Sequence, residues 1–260
     1  MVSRLKRFMA WAGLSGGIVL TAVLAIVVGT WAFAELADDV LEGDTQHIDK
    51  RIVEALRVPD PDPPHDGPRE VPIGPKWLQE TGRDITGLGG VAVLTLIIAA
   101  VAGYLMLSHK YHAMWLVLIS SLGALAISSL MKGLFDRPRP NVTHFSHVYT
   151  SSFPSGHSMM AAAVYLTLGV LLTRLVSGIF AKFYFLAVAL IITFLVGVSR
   201  IYMGVHFPTD VLAGWTAGLV WALLCWLVAR HLQRRGKVEQ PTANHSNNEH
   251  APSSDSVNGV

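Results

Sequence analysis

The sequence predicts an all-α integral membrane protein, a six-helix bundle with an extracytoplasmic loop region between helices 1 and 2. Of its 260 residues, 52% are hydrophobic and 15% are charged, and the mean hydropathy is +0.45. This apolar content exceeds what a soluble core of this size needs. The apolar residues also fall into separate blocks of about 20 residues, the length of helix that crosses a hydrocarbon layer about 30 Å thick.

The predicted spans cover about residues 10–33, 87–107, 113–131, 157–175, 183–200 and 210–229. The first follows a short basic segment, as in a signal peptide. Its apolar run is longer than a signal peptide's and no clear small-residue cleavage pattern follows, so we predict a retained anchor. The chain therefore divides into four regions. They are an amino-terminal segment with the first span (1–33), an extracytoplasmic loop (34–86), a transmembrane core (87–229) and a disordered cytoplasmic tail (230–260).

The distribution of Lys and Arg predicts that both termini are cytoplasmic, because positive charge concentrates in cytoplasmic segments. With the amino terminus inside, the inner segments hold Arg4, Lys6, Arg7, Lys110, Arg174, Lys182, Arg230, Arg234, Arg235 and Lys237. The short outer loops hold only Lys132, Arg137, Arg139 and Arg200. The long first loop adds six basic residues among thirteen acidic ones, and we discount them. We therefore expect a multi-pass protein of the inner (plasma) membrane.

The first outer loop divides into two parts. Ile48, Ile52, Ala55 and Leu56 recur at helical spacing beside charged residues, which predicts a short amphipathic helix on the membrane surface. This segment is either a lid or part of a solvated connector. Seven prolines between Pro59 and Pro75 predict an extended, irregular chain after it.

Composition also excludes several classes of function. A net charge of +2, scattered between apolar blocks, argues against a nucleic-acid partner. The single cysteine, Cys225, allows neither an intramolecular disulfide nor a Cys-based metal site. We infer no obligatory protein partner, and the expected partner at this point is the lipid bilayer.

The first segment whose residues could bind a ligand or catalyse a reaction lies where the third span ends. Lys132 and Arg139 are two cations seven residues apart, and a Lys point charge with a planar Arg fork suits an anion that carries several oxygens. Basic residues beside a span are more often interface anchors. These two, however, lie on the side where positive charge is normally sparse.

The second segment opens the fourth span. Ser155 can cap the helix, and the backbone N–H groups around Gly156 and His157 can then face an anion that the helix dipole also favours. His157 can donate a proton to a leaving alkoxide, since an imidazole titrates near neutral pH. An ordinary cap followed by an interfacial histidine would give the same pattern.

The third segment joins the fifth and sixth spans. Asp210 falls about one helical turn beyond His206, and a carboxylate on one ring nitrogen would leave the other unprotonated and nucleophilic. Arg200 adds a further cation for phosphate oxygens. A His and an Asp at this spacing are also often structural.

All three segments fall at predicted outer helix ends, so they can converge on one site. No cluster with metal-ligand spacing accompanies them, which predicts chemistry without a metal or another cofactor. Two nearby residues are harder to assign. Ser199 can cap or pack, and Arg137 can simply face solvent.

The motifs K-x-x-x-x-x-x-R-P, P-S-G-H and S-R-x-x-x-x-x-H-x-x-x-D resemble the three-part signature of the type 2 phosphatidic acid phosphatase superfamily, over about residues 85–228. The resemblance implies a six-helix bundle with its site at the extracytoplasmic face. It implies a His206 nucleophile that forms a phosphohistidine, oriented by Asp210, with His157 protonating the leaving lipid hydroxyl. The residues implied to hold the phosphate are Lys132, Arg139, Ser155, Gly156 and Arg200.

Two other functions remain open at this point. The same motifs resemble those of vanadium haloperoxidases, whose histidine holds vanadate, although those relatives are soluble. An anion transporter with a basic outer mouth is a non-enzymatic alternative. Within the phosphatase interpretation, the lipid substrate stays open between phosphatidylglycerophosphate, undecaprenyl pyrophosphate and phosphatidic acid.

Overall fold

The computed structural model describes residues 2–61, 70–140 and 151–234, and within them the chain is almost entirely helical. The all-α prediction is confirmed. Two strands of three residues each, paired antiparallel, are the exception in the described part. The elements in chain order are α1 Val2–Glu42, α2 Gln46–Ala55, β1 Arg57–Pro59, β2 Glu70–Pro72, α3 Lys76–Gly87, α4 Val91–Leu107, α5 Tyr111–Leu134, α6 Gly156–Thr173, α7 Ile179–Tyr202 and α8 Pro208–Arg234.

Five helices of the described chain are long and apolar enough to cross a membrane: α1 from Gly16, α5, α6, α7 and α8. The second predicted span, about residues 87–107, corresponds to a bent pair, in which polar α3 meets apolar α4 at 48°. The 17 residues of α4 rise about 26 Å, close to the hydrocarbon thickness. Large apolar side chains such as Leu20, Leu96 and Phe194 are exposed on the outer helix faces, as expected where a helix faces lipid rather than water.

Helix α6 forms the centre of the bundle and contacts α5, α7 and α8. Ala161, Ala162 and Ala163 are fully or almost fully buried, and small residues allow neighbouring helices to approach closely. A Cβ atom at Gly218 of α8 would lie only 2.5 Å from the backbone oxygen of Met159 in α6. The first turn of α6 is therefore fixed against the first turns of α8.

Helix α1 continues to Glu42 instead of ending at residue 33 as predicted. Phe33, Leu36, Ala37 and Val40 recur at helical spacing and pack against a small core around Phe153. This packing explains why the helix extends beyond the membrane length.

The amphipathic helix predicted in the first loop is present as α2, and it packs on the protein through residues outside the predicted apolar set. Asp49 and Val53 are buried, whereas Ile48 and Ile52 are exposed. The reason is an ion pair that holds Asp49 inside, described below. Residues 62–69, which include part of the proline-rich segment, lie outside the described residues, and its described ends are extended, as predicted.

Helix α3 lies where the sequence predicted only loop. A Cβ atom at Gly82 would lie 2.8 Å from the Tyr202 ring, so α3 packs directly on the end of α7. At its last turn, the Thr86 and Ser199 hydroxyl groups lie 2.6 Å apart. Ser199 therefore packs between helices, one of the two roles considered for it.

The tail was predicted to begin at residue 230, and this boundary is wrong because α8 continues to Arg234. The guanidinium of Arg230 lies 5.2 Å from the Trp226 ring centroid, one helical turn earlier. This cation–π contact supports the last turns of the helix. Residues 235–260 lie outside the described residues.

Candidate active site

The three motif segments meet at one end of the bundle. Lys132 lies in the last turn of α5, His157 in the first turn of α6 and Arg200 in the last turn of α7. His206 lies in the short connection between α7 and α8, and Asp210 is in the first turn of α8. Helix ends that are distant in sequence thus supply one cluster of charged and titratable groups.

His206 is 1% exposed and faces Asp210 on one side. Nδ1 of His206 lies 3.5 Å from Oδ2 of Asp210, at the outer limit of a hydrogen bond. The same oxygen accepts a 2.8 Å hydrogen bond from the backbone N–H of Phe207, which fixes the carboxylate. A carboxylate in this position favours the tautomer that carries its proton on Nδ1.

The other ring nitrogen of His206 faces the cations. Nη1 of Arg139 lies 3.2 Å from Nε2 of His206 and also donates to the backbone oxygen of Val205 at 3.0 Å. A guanidinium only donates, so this contact requires an unprotonated Nε2. Both neighbours of the ring therefore favour the same tautomer, with a lone pair on Nε2.

Burial lowers the pKa of His206 to about 4, and the nearby Arg200 and Arg139 charges act in the same direction. The contact with Asp210 opposes them in part. At neutral pH the imidazole is therefore neutral, which is the form that can act as a nucleophile.

The first turn of α6 is shaped to accept an anion. The Ser155 hydroxyl caps the helix and accepts a hydrogen bond from the Ser158 N–H at 3.4 Å, and the Ser155 N–H donates to the Asp210 backbone oxygen at 2.9 Å. A Cβ atom at Gly156 would lie 3.3 Å from Nζ of Lys132. The lysine ammonium thus lies directly beside a helix amino terminus, where anions bind well.

Three cations, Lys132, Arg139 and Arg200, surround the start of α6. His157 lies close enough to Arg200, His206, Lys132 and Arg139 to interact electrostatically with each of them. The buried Nε of Arg200 has no hydrogen-bond partner among the described residues. Buried N–H donors without partners are costly unless a ligand satisfies them. The cluster therefore has the charge and the donor groups to bind a multiply charged oxyanion.

Arg137 does not face solvent, contrary to the role considered for it. Its side chain is 10% exposed, Nη1 lies 2.6 Å from Oδ1 of Asp210, and Nη2 lies 2.6 Å from Oδ2 of Asp49. It is buried because it is the cation that links these two carboxylates. Sequence reasoning missed Asp49 altogether; the only signal was an acidic residue on the otherwise apolar side of a short amphipathic helix.

A cleft of about 760 Å³ opens beside the site, between the end of α1, α2 and the segment that follows α5. Arg139 and Phe207, which neighbour His206, line the cleft, and so do Gln46, Lys50 and Glu54 of α2. Apolar residues of α1 and α5 complete the lining, among them Leu41 and Leu134. The cleft therefore combines polar and apolar walls. Among the described residues, no group of three or more His, Cys, Asp or Glu side chains is placed to hold a metal ion.

Sequence relatives match the region that builds this site. The model of the PAP2 superfamily matches residues 112–234. Phosphatidylglycerophosphatase B of Bacillus subtilis (strain 168) is 36% identical over 146 residues, which cover 55% of this chain and 71% of the relative. A lipid A 1-phosphatase of Rhizobium etli is 28% identical over 187 residues, covering 61% of this chain and 76% of that protein.

A solved structure extends the similarity to the bundle. The crystal structure of a transmembrane PAP2 type phosphatidylglycerolphosphate phosphatase from Bacillus subtilis has a TM-score of 0.70 to this protein at 30% identity. The match covers 80% of this chain and 98% of that chain, so it includes nearly all of the solved protein. With the same family indicated by the signature residues, by the relatives and by the fold, this multi-pass membrane chain belongs to the PAP2 superfamily.

Proposed function

We propose that this membrane lipid phosphatase hydrolyses a phosphomonoester or diphosphate of a lipid through a phosphohistidine on His206. One observation carries the proposal: the imidazole has Asp210 at Nδ1 and a cluster of cations at Nε2. This is the arrangement that a histidine nucleophile needs, because the carboxylate orients the ring and the cations hold the phosphoryl group at the lone pair.

In the first step, Nε2 of His206 attacks phosphorus and the bond from phosphorus to the leaving oxygen breaks. As the substrate binds, Arg139 must shift its N–H hydrogen bond from Nε2 of His206 to a phosphate oxygen. This shift frees the lone pair of Nε2 for attack. Lys132, Arg139 and Arg200 then stabilise the charge that spreads over the phosphoryl oxygens. The Ser155 cap holds the α6 start, so that the N–H groups at Gly156 and His157 face the phosphate.

His157 acts on the leaving group. It donates a proton to the departing lipid oxygen, or to a departing phosphate when the substrate is a diphosphate. In the second step it takes a proton from water, which attacks phosphorus and breaks the bond to Nε2. Inorganic phosphate is released, and both histidines return to their starting protonation states.

The two Bacillus subtilis relatives and the cleft support a glycerophospholipid substrate, with phosphatidylglycerophosphate the first choice. Phosphatidic acid and undecaprenyl pyrophosphate remain the other substrates to test. The cleft reaches Arg139 from the α2 side, so Gln46 and Lys50 are placed to contact the polar part of a lipid beyond the reactive phosphate. Its apolar wall at Leu41 and Leu134 would face the start of the acyl chains.

We also propose that the site faces the extracytoplasmic side of the inner membrane, with both termini cytoplasmic. The supporting observation is that ten Lys and Arg residues lie in the segments at the opposite helix ends and four in the short loops at the site end. Six more lie in the long first loop, where acidic residues outnumber them. A lipid phosphate would then reach the site from the outer leaflet.

The test is inorganic phosphate release by the detergent-purified protein in EDTA, from phosphatidylglycerophosphate, phosphatidic acid and undecaprenyl pyrophosphate. We expect release without added metal, and loss of turnover by a factor of about 10⁴ or more in His206→Ala. His112→Ala, an exposed histidine at the opposite end of α5, is the matched control and should retain activity. Turnover retained by His206→Ala would rule out the phosphohistidine, and no release from any substrate would contradict the assigned substrates.

A further inference from the structure

A buried carboxylate of α2, outside the family signature, is connected to Asp210 through a single guanidinium. Asp49 is 1% exposed, and its Oδ2 lies 2.6 Å from Nη2 of Arg137. Nη1 of the same arginine lies 2.6 Å from Oδ1 of Asp210. Arg137 therefore holds one carboxylate with each of its terminal nitrogens.

Thr209 strengthens this connection. Its hydroxyl donates a short hydrogen bond to Oδ2 of Asp49 and accepts one from Nη1 of Arg137 at 2.8 Å. Its backbone N–H donates to Oδ1 of Asp49 at 3.2 Å. Because Thr209 immediately precedes Asp210, α2 is fixed to the turn that carries the partner of His206. The guanidinium also lies 4.6 Å from the Phe207 ring centroid.

The two oxygens of Asp210 have separate tasks. Oδ1 binds Arg137, whereas Oδ2 accepts the Phe207 N–H and faces Nδ1 of His206. A buried guanidinium needs a compensating negative charge. Asp49 supplies that charge, so Arg137 can orient the Asp210 carboxylate without neutralising it.

We propose that Asp49 and Arg137 are positioning residues that set the orientation and the effective charge of Asp210, and through it the basicity of His206. Accordingly, α2 supports the catalytic pair as a fixed element and does not detach as a lid during turnover. Detachment would leave buried Asp49 and Arg137 without each other. This inference rests on the proposed role of His206 as the nucleophile.

The charges around His206 determine in which direction a substitution shifts its pKa. The ring is faced by Arg139 from the segment after α5, by Arg200 from α7 and by Asp210 from α8, with Lys132 of α5 and His157 of α6 farther out. Asp49→Asn removes a negative charge behind Asp210 and therefore disfavours the imidazolium. Arg137→Gln removes a positive charge and favours it. The two substitutions should shift the titration of His206 in opposite directions.

The experiment follows the ¹³Cε1 resonance of His206 with pH in the full-length protein in detergent, after assignment with His206→Gln. We expect the pKa of His206 to fall in Asp49→Asn and to rise in Arg137→Gln. We also expect kcat on a soluble phosphate ester to drop about 10-fold in each variant with KM changed by less than about 2-fold, because an altered Asp210 affects the nucleophile rather than phosphate binding. Asp44→Asn and Arg51→Gln are charge-matched controls at exposed positions near and on α2, and should match the wild type in both measurements.

The double variant Asp49→Asn/Arg137→Gln adds a second criterion. Removing both partners of a buried pair is less damaging than removing one, so the double variant should be more active than Arg137→Gln alone. Shifts in the same direction, or titrations like the wild type in both single variants, would overturn the proposal. If Arg137→Gln does not fold, the sign of the shift in Asp49→Asn decides alone. If His206→Ala itself retains turnover, the proposed function fails, whatever the Asp49 variant shows.

Discussion

The reactivity proposed for His206 depends on two opposing requirements at one side chain. Burial and the neighbouring arginines keep the ring neutral, whereas Asp210 retains enough charge to orient it. A neutral buried imidazole has a direct thermodynamic consequence. The unfolded chain, in which a histidine has a pKa near 6.5, binds a proton at a pH where the folded site does not.

The folded protein should therefore lose stability through His206 as the pH falls from about 6.5 to about 4. His206→Gln, which has no titrating group, should lack this contribution. We expect the apparent Tm of the wild type in detergent to decrease relative to that of His206→Gln over this pH range. Thermal unfolding monitored at pH 7.0, 6.0, 5.0 and 4.5 checks the difference. A constant difference would mean that folding does not lower the pKa of His206.

Gly156 allows a close approach of neighbouring side chains that its place in the motif alone does not explain. A Cβ atom there would lie 3.1 Å from Oγ of Ser128 and 3.3 Å from Nζ of Lys132. Gly156→Ala should therefore displace the ammonium by a few tenths of an ångström and lower kcat/KM about 10-fold. Gly133→Ala, beside Lys132 but with open space around its Cβ position, should keep wild-type kcat/KM. Equal activity of the two variants would contradict the contact between Lys132 and the α6 start.

The sequence made some of these residues predictable and not others. His206 and Asp210 are four residues apart across a helix start, so their proximity follows from local geometry. The pairing of Asp49 with Arg137 joins residues 88 positions apart, and nothing in the local sequence of α2 specifies it. Long-range pairing of buried charges is set by how helices pack, which hydrophobic periodicity does not encode.

Among the helix contacts, the one between α6 and α8 depends on glycine, which has no side chain to separate the two backbones. A Cβ atom at Gly218 would lie 2.5 Å from the Met159 oxygen and 2.7 Å from Cβ of Ala162. Gly218→Ala must separate the two helices, with a cost of about 1–3 kcal/mol. We expect a lower apparent Tm in detergent, whereas Gly103→Ala in α4, with nothing within 4 Å, should leave it unchanged. An unchanged Tm in both variants would show that the helices are not in close contact there.

The length of the apolar stretches predicted the helices that cross the membrane, because the thickness of the hydrocarbon layer fixes their number of residues. It failed where a helix extends beyond the membrane-spanning length at the end of the bundle that carries the candidate site. The last turns of α1 form because Ala37 packs against Phe153, and α3 forms because Gly82 leaves room for the Tyr202 ring. Both are tertiary contacts, which override the turn signals of the intervening polar residues.

For the whole molecule, the fold separates two ends with different chemistry. The motif end carries α2, the strand pair, α3 and the cation cluster, all tied to the ends of α5, α7 and α8. The opposite end carries the turn between α6 and α7. Arg57 donates to the Tyr202 backbone oxygen at 2.7 Å, so the strand pair is joined directly to the helix that positions Arg200. A substrate from one leaflet would therefore meet a preformed site.

Orientation in the membrane can be measured with single cysteines, because the chain holds only Cys225. In a Cys225→Ala background, Ile48→Cys would lie at the motif end, where Ile48 is 63% exposed, and Phe180→Cys at the opposite end, where Phe180 is 88% exposed. If the site faces outward, an impermeant thiol reagent should label position 48 in cells with a permeabilised outer envelope and an intact inner membrane. Position 180 should react only after that membrane is broken. The reverse pattern would place the site on the cytoplasmic side, and its lipid phosphates would then have to come from the inner leaflet.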